Sequence, residues 1–118
     1  MKKIKPILIS LLFIALVIAI NACKDCDGDN PRARIVNNGT KEISVQIKTS
    51  GGNTENVNNI QPDVISEYRS FAPGITTFTI VVGKDNYVTI IQLDECFEYN
   101  IEIDKNNVIS TTSRDRND

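Results

Sequence analysis

The stretch Phe97-Glu98-Tyr99-Asn100-Ile101-Glu102-Ile103-Asp104 alternates apolar and polar side chains without a break. A period of two puts Phe97, Tyr99, Ile101 and Ile103 on one face of an extended chain and the acids and Asn100 on the other. That pattern predicts a β-strand with one buried face and one solvated, polar face. The same period recurs upstream: Ile43, Val45 and Ile47 share one face, as do Thr76, Phe78, Ile80 and Val82. Residues 32–36, 64–71, 87–93 and 108–112 complete a set of about seven short strands, and no stretch after Asn30 shows a helical period. Turn chemistry separates them. Asn37-Asn38-Gly39-Thr40 reads as a hairpin turn, and Gly51-Gly52-Asn53, Ala72-Pro73-Gly74, Gly83-Lys84-Asp85-Asn86 and Lys105-Asn106-Asn107 mark the others. Residues 53–59 are too polar to assign, and the charged tail at 113–118 is expected to fray. Short strands at regular spacing predict an all-β fold, a small antiparallel β-sandwich over residues 31–112.

Residues 1–22 follow a different rule. Lys2, Lys3 and Lys5 precede an apolar run from Ile7 to Ile20 that only Ser10 interrupts. A positive start, a short apolar stretch and a small-residue end have the layout of a cleaved secretory signal peptide. The alternative, an uncleaved anchor helix, needs about 20 apolar residues, and this run falls short by about a turn.

Ile20-Asn21-Ala22-Cys23 resembles the lipobox of bacterial lipoproteins, with Ile20 where Leu is commonest and Asn21 where a smaller residue is usual. The resemblance implies cleavage before Cys23, a diacylglycerol on its sulfur and acylation of the new amino group. The membrane is then a partner through that lipid, since several acyl chains anchor stably where one does not. Lys24, standing where Asp would favour inner-membrane retention, implies the outer membrane. The acids Asp25, Asp27 and Asp29 resemble an export signal to the cell surface, in a lipidated acidic tether over residues 23–30. A solvated, flexible tether gives the same composition.

Cleavage changes the charge and the cysteine count. The signal takes three of thirteen basic residues and none of fifteen acids, so a net charge of −2 becomes −5. With no basic stripe and few aromatics, nucleic acid is not an expected partner. With Cys23 lipidated, Cys26 and Cys96 remain as a candidate disulfide in an oxidising compartment. The alternative is a buried Cys96 and a free Cys26 thiol.

Within the predicted sandwich, Ile65-Ser66-Glu67-Tyr68-Arg69-Ser70-Phe71-Ala72-Pro73-Gly74 followed by Thr77-Phe78-Thr79-Ile80 resembles part of a small β-sandwich domain of unknown function. That domain recurs in bacterial surface and cell-wall proteins. Arg34-Ile35-Val36-Asn37 is similar to its opening strand. The resemblance implies an Ig-like or transthyretin-like sandwich and no catalytic residue.

The chain contains no His, which removes His-based nucleophile activation, His metal ligation and the usual general base near neutral pH. Glu98 and Glu102 share a strand face and could form a glycosidase-like carboxylate pair, or simply a solvated polar face. Asp25, Asp27 and Asp29 have calcium-loop spacing, but no acid follows until Glu42 to close a site, so no metal or cofactor is expected. For carbohydrate contacts only Tyr68, Phe71 and Tyr87 are available, and Tyr68 is expected to put its ring in the core. The expected function is a non-catalytic, lipid-anchored binding or accessory module with an envelope protein as partner, and the sequence identifies no small-molecule ligand. The rivals are an inhibitor or immunity lipoprotein drawn to a basic enzyme by its acidity, and a small carboxylate hydrolase.

Overall fold

The computed structural model describes residues 26–117, which contain strands and no helix. Eight strands follow in order: β1 (Arg32–Asn37), β2 (Ile43–Lys48), β3 (Thr54–Ile60), β4 (Arg69–Ser70), β5 (Gly74–Val82), β6 (Asp85–Leu93), β7 (Phe97–Ile103) and β8 (Ile109–Asp115). They form two four-stranded sheets, ordered β4-β1-β7-β8 and β3-β2-β5-β6, packed as a small β-sandwich.

The period-two pattern decides which side chains meet between the sheets. Ile43, Val45 and Ile47 from β2, Thr76, Phe78, Ile80 and Val82 from β5, and Tyr99, Ile101 and Ile103 from β7 are all buried. Phe97 packs half-buried at the margin. Each fully buried Val, Leu, Ile or Phe side chain contributes about 1.5–3 kcal/mol by leaving water. Phe71, expected as a surface contact, is instead buried edge-on against Phe78, with ring centroids 6.4 Å apart.

Several expected boundaries move. The polar stretch 53–59 is most of β3, an edge strand whose side chains need only one partner sheet, so its Asn residues face solvent at little cost. Of the strand expected over 64–71, only Arg69 and Ser70 pair continuously with β1, and Ile65 makes a single bridge to Val36. The tail does not fray at Ser113: β8 continues to Asp115 against β7, and the Arg116 amide donates to the Cys96 carbonyl at 2.8 Å.

Two corrections concern topology. Asn37-Asn38-Gly39-Thr40 is not a hairpin turn, because β1 and β2 lie in different sheets. Here the chain crosses the sandwich. With its sequence neighbour gone to the other layer, β1 pairs with β7 in parallel, Arg32 opposite Glu98 and Arg34 opposite Asn100. A parallel pair needs a long connection, and the path through the second sheet supplies it. All other strand pairs are antiparallel. Gly83 (φ 62°) opens the two-residue β5–β6 loop, and Gly74 (φ 127°) passes so close to Ser50 that a Cβ would lie 2.8 Å from it.

Candidate functional site

β1, β7 and β8 present their odd side to the core and their even side outward. On the outer face of the first sheet this builds three rungs: Arg32–Glu98–Arg114, Arg34–Asn100–Thr112 and Val36–Glu102–Ser110. Long side chains from neighbouring strands cover Glu98, leaving it 5% exposed. Arg32 donates to its Oε1, Arg114 Nη2 donates to Oε2 at 2.8 Å, and Arg116 Nε lies 3.6 Å from Oε1. The expectation of Glu98 as a solvated face residue is therefore overturned, because three guanidinium groups close over it.

The hydrogen bond from Arg114 leads the effects on Glu98; burial pushes the other way, and Arg32 adds to the downward shift. The net result holds the carboxyl below its ordinary 4.5. A glycosidic general acid needs a shift upward, so Glu98 moves in the wrong direction for that role. Because the folded chain binds the proton less readily than the unfolded one, this stabilisation is complete above pH 4.5. It is lost as pH falls through the lower folded pKa. Glu98→Gln is expected to destabilise the protein by about 2 kcal/mol at neutral pH, less than a fully buried pair because Arg114 is 68% exposed. Urea midpoints measured against pH should converge for the two proteins in acid.

Beside this cluster, Arg34 Nε donates to Asn100 Oδ1 at 2.7 Å. The Tyr68 ring lies under both guanidinium groups of β1, its centroid 4.5 Å from Arg34 Cζ and 5.4 Å from that of Arg32. Tyr68 thus sits half-buried on the outer face rather than in the core, where cation–π contact takes the place of apolar packing. Arg34, Tyr68, Glu98, Asn100, Thr112, Ser113 and Arg114 line a groove of about 400 Å³. Four of the chain's five arginines are gathered here, in a chain of acidic balance.

The other residues singled out by sequence fall elsewhere. Ile20, Asn21, Ala22, Cys23, Lys24 and Asp25 lie outside the described residues. Asp27 and Asp29 are exposed, and Arg116 Nη2 reaches Asp29 Oδ2 at 3.6 Å. Cys26 and Cys96 are joined by a disulfide spanning 70 positions. Cys96 is held further by its amide donating to the Asp29 carbonyl at 2.9 Å, so the segment from Cys26 onward is fastened to the sandwich. Glu102 accepts from Asn38 and from Ser110 Oγ, and lines a different rung from the groove. Tyr87 is half-buried, its hydroxyl accepting from Asn107 Nδ2 at 3.2 Å. The arginines escaped sequence reasoning, although a signal existed. Arg32-x-Arg34 and Arg114-x-Arg116 both have the spacing that puts two cations on one strand face.

No family model and no curated protein matches the chain. Among solved structures it is similar to the C-terminal domain of AlgF from P. aeruginosa, with a TM-score of 0.50 and 13% identity over 74% of this chain and 97% of that one. At that identity the likeness concerns the fold.

Proposed function

We propose that this chain is a non-catalytic binding or accessory module of the bacterial envelope, held at the outer membrane by lipid on Cys23. The observation that carries the reading is the disulfide between Cys26 and Cys96. A structural disulfide suits a chain exported to an oxidising compartment, as the signal-like residues 1–22 imply. Its position also suits an anchor. Two residues, Lys24 and Asp25, separate Cys23 from Cys26, a reach of about 10 Å over three Cα steps, so lipid on Cys23 would hold the sandwich close to the membrane surface. The Cys96 end faces the bilayer in this arrangement, and the loops at the far ends of β1 and β7 project away. Lys24 and the aspartates after it support an outer-membrane and cell-surface address.

The arginine groove is the surface through which such a module would bind. Its local charge is opposite to that of the whole chain, which favours an anionic partner over the basic enzyme that net acidity alone had pointed to.

In cells fed radiolabelled fatty acid, Cys23→Ala is expected to lose the label and leave the membrane fraction. Retention of both would overturn the anchor. Protease treatment of intact cells separates the two faces of the outer membrane: a surface domain is digested, a periplasmic one is protected.

A further inference from the structure

Around the groove the donors outnumber the acceptors. Both oxygens of Glu98 are already taken by Arg32 and Arg114. Asn100 Oδ1 is taken by Arg34 Nε, which leaves the two Nη groups of Arg34 without a partner among the described residues. Arg114 gives only Nη2 to Glu98 and is 68% exposed, so its remaining N–H groups face water. Arg32 Nε is buried with no hydrogen-bond partner among the described residues. The excess is cationic, and it sits where Glu98 and Tyr68 hold the guanidinium groups in place.

Arg34 and Arg114 belong to adjacent rungs on strands either side of β7. With strands about 4.8 Å apart and rungs about 6.7 Å apart, their Cα atoms are on the order of 12 Å apart, diagonally across Asn100. Two extended arginines can converge on one ligand across that gap. Between them lie the side chains of Asn100 and Thr112, while the one aromatic ring is covered by guanidinium. Such a lining suits a hydroxylated ligand and offers no apolar pocket for a peptide side chain.

We propose that this groove is an oxyanion site for an acidic sugar, in which Arg34 and Arg114 grip a carboxylate or phosphate and Asn100 and Thr112 meet the sugar hydroxyls. Guanidinium forks match the paired oxygens of either group. Glu98 is a positioning residue: it fixes Arg32 and Arg114 and neutralises part of the repulsion among four cations. The inference rests on the reading of the chain as a binding module, but its test is independent of the anchor.

The protein, purified in neutral detergent, is titrated with glucuronate, glucose 6-phosphate and glucose while its backbone amide NMR spectrum is followed. The two charged sugars are expected to shift the Asn100, Thr112 and Arg34 amides, weakening as salt rises, and glucose to shift none of them. Whichever charged sugar binds more tightly identifies the oxyanion. Arg34→Gln, which leaves the Glu98 contacts intact, is expected to weaken binding about tenfold, and the exposed Arg114→Gln provides a second route if the first variant fails to fold. Equal binding of glucose, shifts confined to other surfaces, or undiminished binding by a folded Arg34→Gln or Arg114→Gln protein would each overturn the proposal. Failure here with loss of label in Cys23→Ala would leave the anchored module standing without this site.

Discussion

Cys96→Ser is expected to lower the stability of the folded domain by about 4 kcal/mol, the loop-closure entropy that a cross-link over 70 positions removes from the unfolded chain. For a domain of this size the melting temperature should fall on the order of 20 °C. Cys96 has φ 66°, a left-handed value. Serine at the same place carries the same backbone strain, so the difference isolates the cross-link. The measurement is a thermal melt with and without reductant: reduction should bring the parent protein down to the variant and leave the variant unmoved. A parent melt indifferent to reductant would remove the disulfide from the account of stability. The consequence is local as well, since Cys96 also fastens Asp29 and receives Arg116. Loss of the cross-link therefore loosens the end of the sandwich at which Cys26 is fastened.

The second large effect is expected at Asn37, whose side chain is wholly buried at the end of β1. Its Nδ2 donates to the carbonyls of Lys41 and Ile60, both at 2.9 Å, and its Oδ1 accepts from the Gly39 amide at 3.0 Å. Those three groups lie on the crossover between sheets and on the end of β3, so one amide ties both layers together. Asn37→Ala strands three backbone groups and is expected to cost about 3 kcal/mol in urea denaturation. Asn37→Asp keeps the shape but loses both donors and aims a charge at two carbonyl oxygens. It should be worse than alanine at neutral pH and recover in part as acid protonates it. An aspartate variant as stable as the parent would show that the donors do not matter.

Asn37 also marks where sequence reading stops. Asn-Asn-Gly between two alternating segments has every local feature of a hairpin. Local chemistry specifies that the chain turns; it carries no information on whether the next strand joins the same sheet. Here Asn37 spends its amide on Ile60, 23 positions away, and the turn becomes a crossing. Stretch 53–59 fails for a related reason: an edge strand needs backbone partners more than apolar side chains, so its composition looks like a loop. The strands with an unbroken apolar face, β2, β5 and β7, are legible because a period of two commits a whole face to the core.

The candidate site divides in the same way. From the sequence alone came the all-β class and the alternating core faces, because both depend on short-range order, while the pairing candidates Cys26 and Cys96 came from the cysteine count. Only the tertiary structure decided that β1 runs parallel beside β7 and that β8 extends to Asp115. Those two pairings bring Arg32, Arg34, Arg114 and Arg116 from opposite ends of the domain onto one face around Glu98. Charge patterns two residues apart reveal a face, but not the face they will meet. Strand order settles that, and it is set by which buried faces pack best across the whole sandwich.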